Sequence, residues 1–451
     1  MIVIDSTARA NLKVFESRLG HHLFVADGSR IFDIEQAVAE TLTAMLDEES
    51  SAVWQRLGLA GSPVGRWIDG RVPLPPPPRS LSLNVAQTCN LGCGYCYADG
   101  GKFGGAPRMM DYAVAKNAVD LLFDGADAGT DLVIGFMGGE PLIARTLMAN
   151  VAKYATRRGA VLGHDVRFSV TTNGTLLTDD DAELLCAYPF AVQMSLDGPS
   201  LLHDAQRPAK SGRGSYEQAM RGLERLTRHQ RPRQLTARAT ITRQTGELLP
   251  VLDHLIGLPF DDVGFALAIA APPEYAIGPN DFPRVLEDMV RCGRKSLSEM
   301  RSGRTYPFSN FLTAMEQIHR GTHRPYPCGA GAAYLSVNAQ GRVYACHRTV
   351  DDRSFAMGDL KAGLDHAARR RLLEHNNVDR AEPCRSCWAR YLCGGGCYHE
   401  VAKRGRPGCD YIRGWLEFCL QAYVELSTAK LQGHANLIPS TTRIISGTHH
   451  V

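Results

Sequence analysis

The sequence predicts an α/β protein built on six parallel βα units, with a small α+β module before them and a cysteine-rich segment after them. Three observations predict this. Apolar runs suited to strands alternate with helical patterns from Arg79 to about residue 300. Short apolar runs and one amphipathic stretch fill residues 1–72. All but Cys186 and Cys292 of the 13 cysteines fall within 89–96 or 328–419, and those two are assigned to packing.

A chain of 451 residues is long enough for two or three domains. Hydrophobic content of 44% and charged content of 22% are those of a globular protein. The formal net charge is only +3 and no block of like charge stands out, so bulk electrostatics points to no nucleic-acid and no membrane partner. Met1–Val14 lacks the basic-then-apolar build of a signal peptide. No apolar run reaches the roughly 18 residues that a membrane helix needs. The expected compartment is therefore the cytoplasm, where so many cysteines suggest metal clusters before disulfides.

Within residues 1–72, His22–Ala26 and Arg30–Ile34 read as strands, and the spacing of Ile34, Val38, Leu42 and Leu46 predicts a helix over Asp33–Leu46. The module carries no catalytic constellation, so packing, or docking a peptide or partner, is its expected role. Residues 73–78 are a proline-rich spacer, Pro73-Leu74-Pro75-Pro76-Pro77-Pro78.

The unit over 79–300 has strand candidates at Leu81–Val85, Leu132–Phe136, Val166–Thr171, Ala191–Leu196, Leu235–Ile241 and Val263–Ala270. Between them lie helical patterns such as Tyr112–Phe123, behind the N-cap candidate Asp111, and Thr178–Cys186, with acids in its first turn. Right-handed crossovers then make the strands parallel and place active-site groups at their C-terminal ends.

Chemistry-bearing motifs fall at those ends. After the first strand, Cys89, Cys93 and Cys96 have the spacing C-x3-C-x2-C. Three thiolates on one tight loop can hold three irons of a cubane cluster and leave the fourth iron open. A zinc knuckle would want a fourth Cys or His close by, and none follows. Gly138-Gly139-Glu140-Pro141 follows the second strand; paired glycines admit a ligand to the backbone, and the carboxylate can accept from an ammonium. Asn173 ends the third strand, and Ser195 and Asp197 end the fourth. Arg207 and Arg238 are alternative grips for a ligand carboxylate.

C-x3-C-x2-C with the aromatic Tyr95 before its third cysteine resembles the signature of radical S-adenosylmethionine (radical SAM) enzymes. The resemblance implies a partial (βα)6, TIM-like barrel over 79–300 and a 4Fe–4S cluster on Cys89, Cys93 and Cys96 that binds S-adenosylmethionine at its open iron. It implies cofactor contacts by Tyr95, Gly138, Gly139, Glu140, Pro141, Asn173, Ser195 and Asp197, and by Arg207 or Arg238. The reaction implied is reductive cleavage to a 5′-deoxyadenosyl radical that abstracts a hydrogen from an unactivated carbon.

After a bridging segment, 301–325, the pattern Cys328, Cys346, Cys384-x2-Cys387-x5-Cys393-x3-Cys397, Cys409 and Cys419 resembles the SPASM iron–sulfur domain of peptide-modifying radical SAM enzymes, placed at 326–426 with a tail at 427–451. The resemblance implies two auxiliary 4Fe–4S clusters, three in all. Cys384, Cys387, Cys393 and Cys409 hold one; Cys328, Cys346 and Cys397 start the other, which Cys419 completes or which keeps an open iron. A helix is expected over Tyr411–Leu426, with Ile412, Leu416, Leu420 and Val424 on one face. Cys409 and Cys419 would lie about 15 Å apart along its axis, too far to share a cluster.

Cys328–Tyr334, Tyr391–His399 and Cys409–Trp415 are similar to the peptide thioether-forming maturases, among them that of quinohemoprotein amine dehydrogenase. The expected activity is thus formation of Cys-sulfur-to-carbon thioether crosslinks in a peptide or small protein. Carbon–carbon or carbon–oxygen crosslinking is the enzymatic alternative, and a non-catalytic iron–sulfur scaffold is the other. Sulfatase-maturing relatives have an Asp after the cysteine equivalent to Cys346; His347 stands there in this chain and is a candidate proton acceptor. The implied partners are the peptide and a reducing electron donor such as flavodoxin or ferredoxin.

Overall fold

The computed structural model describes residues 11–47, 72–228 and 230–431. Most of the link between the N-terminal module and the proline run, and the tail beyond residue 431, lie outside the described residues.

The six expected strands form and pair in chain order. They are β4 (Ser80–Gln87), β6 (Leu132–Gly138), β7 (Val166–Thr172), β8 (Phe190–Ser195), β9 (Gln234–Ile241) and β10 (Asp262–Leu267), each parallel to its neighbour. The short β5 (Arg108–Met109) pairs antiparallel with β4. Helices over Tyr112–Asp124, Arg145–Leu162 and Asp179–Ala187 make the first crossovers. The last of these starts with a capping box, Thr178 bonding the Asp181 backbone and Asp181 bonding back. Asp111 sits at the expected N-cap but makes no side-chain cap bond. On the face of the sheet opposite the side chains of Met137, Thr171 and Ser195, Phe136, Phe168 and Phe190 stack with centroids 5.1 to 6.3 Å apart.

The C-terminal segment extends the same sheet. β11 (Tyr334–Val337) lies parallel to β4, and β12 (Arg342–Tyr344), β13 (Ala356–Asp359) and β14 (Gly363–Leu364) continue antiparallel. A mostly parallel sheet therefore runs through both the βα units and the cysteine-rich segment. The polar residues of β4 explain the join. Ser82 Oγ meets Tyr334 Oη at 2.8 Å, Asn84 Nδ2 donates to Ser336 Oγ at 2.8 Å, and Gln87 Nε2 donates to Asp351 Oδ2 at 2.8 Å. Buried polar side chains need partners, and all three find them in residues 334–351.

The proline run is held against this join. Arg369, fully buried, donates to the carbonyls of Pro76, Gly331 and Ala332, while the Arg79 and Ser80 amides donate to Ala333 O.

The N-terminal module has one strand more than its sequence predicts: β1 (Leu12–Ser17), β2 (Gly20–Val25) and β3 (Arg30–Ile34) form an antiparallel meander before the helix Gln36–Asp47. β1 escapes the pattern because only Phe15 of its residues is buried and the rest are half-buried or exposed. The meander packs on C-terminal elements, with Lys13 on Glu417 at 2.9 Å and Phe24 edge-on to Trp388 at 5.9 Å. The C-terminal helix is longer than expected, Cys409–Leu431, and lies on the helix Phe282–Arg301. Gly293 permits that approach, since a Cβ there would stand 2.3 Å from the Phe418 ring. Among the described residues no helix is long and apolar enough to cross a membrane.

Candidate active site

A cavity opens where all six parallel strands end. Its wall takes the cysteine loop after β4, Met137–Gly139 from β6, Thr171–Asn173 from β7, Ser195 from β8, Thr240 from β9 and Ala266–Ala271 from and after β10. Arg348 and Glu400 close it from the C-terminal segment.

The cysteine loop is fixed from several sides. The amides of Gly92 and Gly94 donate to Pro208 O and Gln206 O, and the Leu91 amide points at Cys89 Sγ at 3.4 Å. Asn173 Nδ2 reaches Cys89 Sγ at 3.8 Å. Gly139 must be glycine, since a Cβ would stand 2.3 Å from Thr88 O; Gly138 has φ +150° and would meet Ala86 O at the same distance.

Tyr95, between the second and third cysteines, donates to Asp197 Oδ2 at 2.7 Å and accepts from Arg207, whose guanidinium also faces Asp197 Oδ1 at 3.8 Å. Asp197 takes the Thr240 amide as well. This network sets Arg207 on the cavity wall. Burial pushes the Cys93 thiol up to about 11, and the neighbouring Arg207 charge opposes the shift.

Three cysteine groups emerge. Cys89, Cys93 and Cys96 influence one another electrostatically. So do Cys328, Cys346 and Cys397, and likewise Cys384, Cys387, Cys393 and Cys409. Burial raises the thiols of Cys93, Cys397 (about 11) and Cys384 (about 11), and an arginine beside each favours its thiolate: Arg207, Arg348 and Arg406 respectively. Among the described residues no three His, Cys, Asp or Glu side chains converge as on a single metal ion. Thiol sets of three, three and four, each with a guanidinium at hand, suit polynuclear clusters spread over several thiolates.

Of the expected cofactor contacts, Tyr95, Gly138, Gly139, Asn173, Ser195 and Arg207 line the cavity. Glu140, Pro141, Asp197 and Arg238 are not part of that lining. Glu140 accepts from the Leu142 amide, the Thr172 hydroxyl and the Asn173 amide at 2.7 to 3.0 Å, so its carboxylate pins the ends of β6 and β7 together. Arg238 is buried close to Asp262 and Arg348, and burial lowers its pKa to about 10. Of the two arginines, Arg207 lines the cavity and Arg238 does not.

Two expectations are corrected. Cys419 joins no group: it is 0% exposed on the long C-terminal helix, near Cys292 and Tyr411, where apolar helix packing holds it. His347 does not line the cavity; its Nδ1 pairs with Tyr334 Oη at 2.9 Å, and burial lowers its pKa to about 3. Sequence reasoning missed Tyr97, Arg348 and Glu400. The available signal was proximity to the motifs, because they follow Cys96, Cys346 and Cys397 by one, two and three residues.

Residues 83–248 match the family model of the radical SAM superfamily. The chain carries a radical SAM domain. It is an enzyme, and the cofactors of its domain are S-adenosylmethionine and a 4Fe–4S cluster. The chain is similar to the serine-type anaerobic sulfatase-maturating enzyme of Klebsiella aerogenes, 26% identical over 72% of this chain and 82% of the relative. It is also similar to the mycofactocin maturase MftC of Mycolicibacterium smegmatis, 26% identical over 75% of this chain and 83% of the relative. The solved structure of native anSMEcpe with bound AdoMet superposes with a TM-score of 0.66 at 19% identity, over 77% of this chain and 99% of the other, and so shares the fold.

Proposed function

We propose that this protein is a radical SAM maturase that forms intramolecular thioether crosslinks, Cys sulfur to carbon, in a peptide or small protein. The observation that carries the reading is the second cysteine group, Cys328, Cys346 and Cys397. It supplies three thiols and no fourth Cys among the described residues, leaving room for a substrate thiolate. The names of the two maturase relatives support action on a peptide or protein.

In this reading Cys89, Cys93 and Cys96 hold the cluster that binds S-adenosylmethionine, and Cys384, Cys387, Cys393 and Cys409 hold the remaining auxiliary cluster. When bound, these cofactors supply a hydrogen-abstracting radical and a sink for the electron left over after bond formation. Arg207, oriented by Tyr95 and Asp197, binds the carboxylate of S-adenosylmethionine bidentately. Gly138 and Gly139 let the backbone approach it, and Ser195 and Asn173 offer polar groups to the ribose. The apolar segment Ala266–Ala271 excludes water from the reacting carbon. A small reducing protein of the flavodoxin or ferredoxin kind delivers the electron. Residues 79–300 act as the partial barrel and 326–426 as the auxiliary-cluster domain, as the strand order and the two downstream cysteine groups suggest.

Co-expression with a short Cys-bearing peptide encoded beside the gene, followed by mass spectrometry and thiol alkylation, tests the reading. The expected result is loss of two hydrogens and of one alkylatable thiol per crosslink. A loss of two hydrogens with every thiol still alkylatable would reject the thioether and favour carbon–carbon or carbon–oxygen bond formation, or oxidation of one residue without a crosslink.

A further inference from the structure

Tyr398 is 4% exposed, and its hydroxyl is buried with no hydrogen-bond partner among the described residues. A phenol shut away from water without an acceptor is costly, so its acceptor is expected to be a group that the chain binds. The backbone shows where. Gly394, Gly395 and Gly396 all have positive φ and turn the chain sharply before Cys397, which starts the helix Tyr398–Arg404. A Cβ on Gly394 would stand 2.6 Å from Pro327 Cα, so this turn lies against the segment carrying Cys328. Around the phenol the charges that act are those of Cys328, Tyr326, Cys397 and Cys346. Three of these are the whole second cysteine group. The fourth, Tyr326, already accepts from Asn377 at 3.2 Å.

We propose that Tyr398 is a positioning residue of the second cysteine group, its O–H donating to a sulfur of the cluster held by Cys328, Cys346 and Cys397. The proposal rests on the reading that these cysteines hold a cluster. Reduction adds one electron to the cluster, and a hydrogen bond to a cluster sulfur stabilises the more negative state. The hydroxyl therefore raises that cluster's reduction potential, while the proton stays on the phenol and no iron position is used. The fourth iron is left for another ligand.

The test is an anaerobic redox titration, followed by electron paramagnetic resonance, of the full chain reconstituted with iron and sulfide. Wild type is compared with Tyr398→Phe and with Tyr326→Phe as a control. Tyr398→Phe should keep its iron and move one signal to lower potential by roughly tenfold in the reduction equilibrium, about 59 mV for one electron, with the other signals and the control unchanged. In wild type, pulsed resonance should detect coupling to an exchangeable proton that vanishes in D2O, a measurement that decides the matter even where the variant folds poorly. Unchanged potentials with iron retained overturn the proposal. Loss of iron from the variant overturns it too where wild type shows no coupling to an exchangeable proton. Equal iron content in wild type and in Cys328→Ala/Cys346→Ala/Cys397→Ala removes the cluster assignment itself, and so is told apart from failure of the hydrogen bond alone.

Discussion

The Arg348 guanidinium meets the Glu400 carboxylate at 2.7 Å on the cavity wall and lies 5.2 Å from the centre of the Tyr97 ring. Tyr97 follows Cys96, so these three side chains join the first cysteine group to the second. Arg348 has five N–H donors, and Glu400 has a second carboxylate oxygen. Side by side they present a donor and an acceptor, the complement of a peptide amide.

Arg348→Lys should therefore weaken peptide turnover. The pair is largely buried, with side chains 16% and 18% exposed, and a hydrogen bond to a charged group contributes about 1.5–3 kcal/mol, roughly tenfold or more in affinity. The expected outcome is a raised KM for peptide, with 5′-deoxyadenosine formation in the absence of peptide nearly unchanged. Parallel loss of both activities would instead mean that the pair supports only the fold of the cavity.

Asp351 is the hinge pin between β4 and the C-terminal strands. It accepts from Gln87, Asn338 and Tyr344 at 2.7 to 3.1 Å while holding φ at +63°. Asp351→Ala leaves three donors without their acceptor in a left-handed residue and should cost on the order of 3 kcal/mol. Asp351→Asn, which tolerates that backbone better, should cost less. Denaturant midpoints of the two variants check the order.

His203 gives the fold a pH dependence from behind the Asp197–Arg207 network. It is buried, takes the Asp197 amide on Nδ1 at 3.4 Å and pairs through Nε2 with Ser215 at 3.0 Å. Burial, with help from the Arg207 charge, lowers its pKa to about 3 from the ordinary 6.5. The unfolded chain thus binds a proton more readily between those values, so the contribution is full above about pH 6.5 and fades as the pH falls towards 3. At pH 5 the loss is on the order of 2 kcal/mol. The fall in unfolding free energy from pH 7 to pH 5 should be smaller in His203→Gln than in wild type by about that much; an equal fall in both would contradict the assignment.

How much of this was legible in the sequence depends on how local the signal is. The six parallel strands were readable in two ways: strands buried on both faces appear as continuous apolar runs, as in Leu132–Phe136, and those with one half-buried face alternate, as in Gln234–Ile241. The cysteine groups were readable from spacing, and in the structure the thiols Cys328, Cys346 and Cys397, and Cys384, Cys387, Cys393 and Cys409, influence one another electrostatically. β1 was not readable, since its half-buried residues carry no clean period. The joining of β11 to β4 was also hidden, because Ser82, Asn84 and Gln87 look like surface residues until Tyr334, Ser336 and Asp351 supply their partners. Cys419 and His347 misled because motif position says nothing about which way a side chain points. Long-range pairings such as Arg369 on Pro76 O leave no periodic trace at all.

The central claim is that Cys89, Cys93 and Cys96 make this protein a radical-generating enzyme. It is tested most directly by anaerobic reconstitution with iron and sulfide, addition of S-adenosylmethionine and a strong reductant, and quantitation of 5′-deoxyadenosine and methionine. Wild type should release the two in equal amounts, and Cys93→Ala should release neither while keeping the iron bound by the two downstream groups. Reconstituted wild type that leaves S-adenosylmethionine intact, or Cys93→Ala that cleaves it as fast as wild type, would contradict the account.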